Sequence, residues 1–96
     1  MKLKFLDSTT ADLKWMRHYY RHVLTEGATN AKQQYFRTTR VMLENPLIGH
    51  ASESITGARE FHISRTPFSF LYRVTKDHIE IMRLIDNRSN WASDEN

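Results

Sequence analysis

The sequence contains no cysteine, which excludes disulfide staples and thiolate chemistry and, with them, the usual support of small secreted domains. Glycine (3 residues) and proline (2 residues) are scarce, so collagen-like and low-complexity organisation are excluded. Gly27, Gly49 and Gly57 stand singly, and a phosphate-cradling loop needs several glycines close together. No stretch approaches the roughly 20 apolar residues that span a bilayer, so no membrane partner is expected. Met1-Lys2-Leu3-Lys4-Phe5-Leu6-Asp7 reaches a charge directly after Leu6 and lacks the apolar run of a signal peptide. The expected location is the cytoplasm.

What remains is ordinary for a small globular chain. The 96 residues leave room for one domain with one modest core, because short chains bury a smaller share of their surface. The hydrophobic fraction of 40% and charged fraction of 26% are enough to fold. A formal charge of +3 and a pI near 9.5 favour an anionic partner, either nucleic acid or an acidic protein. Charge alone does not choose between them.

Along the chain, Leu3 and Phe5 alternate with Lys2 and Lys4, the period of a half-buried strand over residues 2–6. Ser8 and Thr9 offer hydroxyl caps, and Thr9 with Asp12 has the spacing of a capping box. The helix that follows carries an apolar stripe of Leu13, Met16, Tyr20, Val23 and Leu24, broadened by Trp15 and Tyr19, opposite a basic ridge of Lys14, Arg17, His18 and Arg21. Gly27 is a natural stop. Thr29 or Asn30 can cap a second helix, with Ala31, Tyr35, Phe36, Met42 and Leu43 expected inward and Lys32, Gln33, Arg37, Arg40 and Glu44 outward, ending at Asn45-Pro46.

Residues 47–56 show neither period and are expected to form a loop. Phe61 and Ile63 then alternate with Glu60, His62 and Ser64, and after Pro67 the residues Phe68, Phe70, Tyr72 and Val74 alternate with Ser69, Leu71 and Arg73, which predicts a hairpin. Past Lys76-Asp77 the simple alternation puts Ile79, Ile81, Arg83 and Ile85 on one face, with Glu80, Met82 and Leu84 on the other. The predicted architecture is α+β: an antiparallel helical hairpin on a mainly antiparallel four-stranded sheet in the order β-α-α-β-β-β. It forms a single domain over 1–96, with a polar tail from about 87 to 96.

Candidate sites follow from residue chemistry. Arg59, Arg65, Arg73, Arg83 and Arg88 all come from the sheet region, and guanidinium forks suit phosphate or carboxylate surfaces. The plainer reading pairs some of them with Glu60, Glu80 and Asp86. An RNA-cleaving site would need a base for the 2′-hydroxyl, an acid for the leaving oxygen and cations for the phosphorane charge. Arg73, Arg83, His62 and Tyr72 are the candidates, with His78 and Glu80 the other titrating groups. His18 and His22 have a zinc-compatible spacing, but the residues between them lack a catalytic Glu and no third ligand is near, so no metal and no cofactor is expected. Phe61, Phe68, Phe70 and Tyr72 read as core before they read as a base-stacking platform. Trp91 in the polar tail is a candidate anchor for a partner.

The run from Gly57 to Val74 contains Arg59-Glu60, then Pro67 at the turn, then Tyr72-Arg73. It resembles the strand pair of the ParE/RelE toxins, the toxin components of type II toxin-antitoxin systems. The resemblance extends through Asp77 to Ile85, to Asn87-Arg88 and Trp91, and upstream to Pro46-Leu47-Ile48-Gly49. With the strand-helix-helix order it covers nearly the whole chain and is nearest to ParE.

It implies a growth-arresting toxin, of the sort associated with plasmid stabilisation, that is neutralised by a cognate antitoxin wrapping exposed apolar grooves. Trp15, Met16 and Tyr19 are the expected antitoxin contacts, and operator DNA would be reached only through the antitoxin. ParE-like members inhibit DNA gyrase, whereas RelE-like members are ribosome-dependent endoribonucleases that cut mRNA. Many members carry a His after the stretch matching Arg83-Leu84-Ile85, and this chain has Asp86. A carboxylate with an ordinary pKa of about 3.9 is a poor proton donor at neutral pH. The expectation is therefore a gyrase inhibitor, not an enzyme, which contacts its target through Arg59, Arg65, Arg73, Arg83, Arg88 and Trp91. The endoribonuclease is the alternative, and a member that only binds antitoxin and operator is a third.

Overall fold

The computed structural model describes residues 1–22 and 28–87, with the surroundings of side chains 19–22 and 28–31 outside that description. The elements are β1 (Lys2–Phe5), α1 (Asp7–His22), α2 (Ala28–Glu44), β2 (His50–Ala51), β3 (Arg59–His62), β4 (Phe68–Val74) and β5 (His78–Asp86). They build one sheet in the order β1-β5-β4-β3-β2. β1 runs parallel to β5 and the other neighbours are antiparallel. Both helices lie on one face: Leu13 and Met16 of α1 and Tyr35 and Met42 of α2 pack against Phe68, Phe70, Tyr72, Ile79, Ile81 and Leu84. Fully burying each large side chain of this set contributes about 1.5–3 kcal/mol. No helix among the described residues is long and apolar enough to cross a membrane. The predicted stop at Gly27 and the stripe residues Val23 and Leu24 lie outside the described residues, as do the side chains of Tyr19, Tyr20, Thr29, Asn30 and Ala31.

The sheet has five strands rather than the expected four. His50 and Ala51, within the predicted loop, pair with Glu60 and Arg59. Two residues are too short to display an alternation, so only the partner strand reveals them.

The expected capping box at Thr9 and Asp12 is not made. α1 starts at Asp7, an acid well placed for the positive end of the helix dipole, and Thr9 is buried. β1 stops at Phe5, opposite Ile81, while β5 continues to Asp86. The first turns of α1 occupy the edge that β1 leaves open. Ser8 donates its hydroxyl to Met82 O (2.5 Å) and Thr9 to Ile81 O (2.8 Å), while Asp12 accepts the Leu84 N–H (3.0 Å). Polar side chains that look like caps thus bond to the strand edge beyond β1, where Ile81 O also accepts the Leu6 N–H (3.0 Å).

α2 is rotated relative to its predicted stripe. Phe36 (56% exposed) and Leu43 (37%) face outward, whereas Thr38 and Thr39 are buried. The inward face is Tyr35, Thr38, Thr39 and Met42, at i, i+3, i+4 and i+7. The threonines tolerate burial because their hydroxyls donate to Gln34 O (2.6 Å) and Phe36 O (2.8 Å) within the helix.

A bulge decides the faces of β5. Leu71 pairs with Arg83 but Tyr72 pairs with Ile81, which leaves Met82 as the extra residue. Ile79 and Ile81 therefore share the helix-covered face with Leu84. Arg83 and Ile85 turn to the opposite face beside Glu80, which corrects the simple alternation.

Candidate functional site

The face of the sheet away from the helices carries the polar chemistry. Cross-strand neighbours share a face, and the register sets out its rows. One row is His50, Glu60, Leu71 and Arg83; a second is His62, Ser69 and Ile85; a third is Arg73, Glu80 and Lys4; a fourth adds His78 and Lys2. A cleft of about 400 Å³ opens beside the open end of β5 and is lined by Asp12, Trp15, Ser52, Ser54, Ile55, Glu60, Leu71 and Arg83 among others.

Both central arginines are held by acids yet remain accessible. Arg73 donates Nε–H to Glu80 Oε1 at 2.7 Å, with its side chain 50% exposed. Arg83 donates through Nε to Asp12 Oδ2 (2.7 Å) and through Nη2 to Oδ1 (2.9 Å), with its side chain 55% exposed. This is the bidentate fork that carboxylates favour. On the flank of the same face, His50 Nε2 lies 3.8 Å from Glu60 Oε2.

Burial pushes the Asp12 carboxyl up, but the hydrogen bonds from Arg83 and the Leu84 N–H, together with the guanidinium charge, outweigh it and hold the group below its ordinary 3.8. The same hydrogen bond and charge raise Arg83. Folded Asp12 therefore binds protons more weakly than unfolded Asp12. Its stabilising contribution is complete above the unfolded pKa of about 3.9 and is lost as pH falls through the folded value. The difference in melting temperature between wild type and Asp12→Asn is expected to stay constant from about pH 7 to about pH 5 and to narrow below about pH 4. Thermal scans across that range check it, and an unchanging gap down to acid would remove the charge of Asp12 from the account.

The remaining predicted residues are dispersed. Tyr72 lies on the helix side and is fully buried. Its hydroxyl donates to Pro46 O (2.9 Å) and accepts the Gly49 N–H (3.0 Å). Burial raises its pKa, against the Gly49 hydrogen bond and the Arg59 charge. Arg59 sits on the same side, where Nη1 donates to Gly49 O (2.6 Å) and Leu47 O (3.3 Å) and fastens the segment after α2. Arg65 is exposed in the β3–β4 turn at φ 62°, a left-handed conformation unusual for its side chain. His62 is exposed on the outer face, with Nε2 2.6 Å from Thr66 O.

On α1, Trp15 is 46% exposed and meets Phe68 edge-on at 5.7 Å, while Met16 packs partly into the core. The side chains of Tyr19 and His22, and Arg88 and Trp91 entirely, lie outside the described residues. The fold thus brings Arg73, Arg83 and His62 to one face and places Tyr72 on the other. Sequence reasoning missed Asp12, which stands 71 positions from Arg83; no spacing rule links residues so far apart.

No protein-family model matches the sequence, and neither does any curated protein sequence. Solved structures do match. A chain of the chromosomal ParDE toxin-antitoxin system from P. aeruginosa superposes with a TM-score of 0.71 and 29% sequence identity, covering 90% of this chain and 95% of that one. YafQ from E. coli strain BL21(DE3) superposes with a TM-score of 0.61 over 93% of this chain and 96% of its own, and at 14% identity it is alike in fold alone. The helix pair on a mixed five-stranded sheet, the Arg-Glu and Tyr-Arg strand pair, and a likeness that spans nearly the full length of both chains converge on one assignment: the chain belongs to the ParE/RelE toxin superfamily.

Proposed function

We propose that this chain is the toxin of a type II toxin-antitoxin pair, that it is ParE-like, and that it arrests growth by inhibiting DNA gyrase without itself catalysing a reaction. The likeness to a ParDE chain at 29% identity over 90% of the sequence supports the toxin assignment. The observation that carries the choice of mechanism is Tyr72. Of the groups nominated for RNA cleavage, its hydroxyl is committed inside the fold to Pro46 and Gly49, on the face opposite Arg73 and Arg83. Asp86 at the position where many relatives carry a His removes a second proton donor. An outer face on which Arg73 and Arg83 stand half exposed is suited to gripping a surface.

Arg65, Arg73, Arg83, Arg88 and Trp91 are the proposed gyrase contacts. Arg59, whose Nη1 is engaged by Gly49 and Leu47, is the least available of the arginines first considered. Trp15, Met16 and Tyr19 of α1 are the proposed antitoxin contacts, and operator DNA is reached through the antitoxin. All of this takes place in the cytoplasm.

Purified chain in a supercoiling assay, paired with mapping of message ends in a translating extract, tests the reading. Loss of supercoiling with intact messages is expected. Cleavage at fixed codon positions with unimpaired gyrase would establish the ribosome-dependent endoribonuclease instead, and activity in neither assay would leave a chain that only binds its antitoxin.

A further inference from the structure

The Asp12–Arg83 fork differs from an ordinary surface ion pair in three respects. The carboxylate side chain is only 15% exposed while the guanidinium is 55% exposed, so the acid is sunk and the base stands out. The acid is also tied to the backbone, since Oδ2 accepts the Leu84 N–H as well as the Arg83 Nε–H. Finally, it stands on a clamped helix turn, because Ser8 and Thr9 just before it bond to Met82 O and Ile81 O of the same strand. Two N–H groups of the guanidinium, on Nε and Nη2, are used inward.

We propose that Asp12 is a positioning residue for Arg83: it holds the guanidinium in one orientation on the outer face, so that the remaining N–H groups of the fork meet the target already ordered. The inference rests on the reading of Arg83 as a target contact. The physical gain is in entropy. A free arginine side chain loses its rotamer freedom when it binds, and a side chain fixed during folding has already lost it, so binding is tighter for the same contacts. Stability gives such a pair little reason to exist, because half-exposed ion pairs contribute little to folding.

Asp12→Asn keeps the shape and an acceptor for the Leu84 N–H but removes the charge that holds the fork. Growth arrest on induction and half-inhibition of gyrase are read for wild type, Asp12→Asn, Arg83→Ala and the double variant, with melting temperatures alongside. Asp12→Asn is expected to need about tenfold more protein for the same effect, while its melting temperature at neutral pH falls by only the few degrees expected of a half-exposed ion pair. In the Arg83→Ala background the substitution should add nothing, because a residue that acts only through another has no effect once the other is gone. A purely structural role would instead persist in that background, and either that result or full potency of Asp12→Asn overturns the proposal. Growth arrest by wild type with untouched gyrase would overturn the choice of target while the arrest comparison still judged Asp12. A wild-type chain inert in both assays would overturn both.

Discussion

Gly49→Ala is expected to be strongly destabilising although it adds a single methyl group. A Cβ at this position would stand 2.7 Å from the backbone Glu60 O and 2.7 Å from the Tyr72 hydroxyl. The first contact is with a strand carbonyl that cannot rotate away. The second displaces the hydroxyl that joins Gly49 N–H to Pro46 O, leaving buried polar groups without partners. Overpacking and lost hydrogen bonds together should cost about 3 kcal/mol, roughly 15 °C in melting temperature for a domain of this size. Thermal unfolding by circular dichroism measures it. Tyr72→Phe, which removes the hydroxyl but creates no clash, should show the smaller part of the loss, about 1–2 kcal/mol. If Gly49→Ala melts within a few degrees of wild type, the approach of the loop to β3 and β4 is looser than the fold implies.

Arg83→Ala should abolish most toxicity while leaving the protein folded. As a central arginine on the outer face it has the character of an interface hot spot, where truncation costs at least about 2 kcal/mol, on the order of thirtyfold in potency. The cost to folding is far smaller, below about 1 kcal/mol, because the pair with Asp12 is half exposed on the arginine side. Antitoxin binding, assigned to Trp15, Met16 and Tyr19 on α1, should be largely retained. Induction of the variant in cells, with antitoxin pull-down as the folding control, separates the effects. Full arrest by Arg83→Ala would take Arg83 out of the target surface, and loss of antitoxin binding would mean that it also serves the second interface.

Most of the elements were readable because their signals are local. The two helices, the hairpin of β3 and β4 and the last strand all follow from apolar periods set by the geometry of one element at a time. The errors occur where a distant partner overrides the local pattern. Thr9 and Asp12 have cap chemistry, but the open edge of β5 claims them. Phe36 and Leu43 are more apolar than Thr38 and Thr39, yet the threonines are buried because their hydroxyls find carbonyls within the helix. At Met82 one unpaired residue reverses the faces of everything after it in β5.

By itself, the sequence determined the class of this protein: a composition without cysteine, a basic balance, an α+β fold in the order strand-helix-helix-strands, and the Arg-Glu and Tyr-Arg strand pair of the ParE/RelE toxins. Those properties depend on residue type and on spacing within a few positions, where steric and hydrophobic preferences act. Only the tertiary structure decided which chemistry meets which. It paired Asp12 with Arg83 across the chain, put Tyr72 out of reach of the arginines it was grouped with, and turned Arg83 outward through a bulge. Each of these depends on strand register and on where one strand ends beside another, and register is a property of two segments together that neither carries alone.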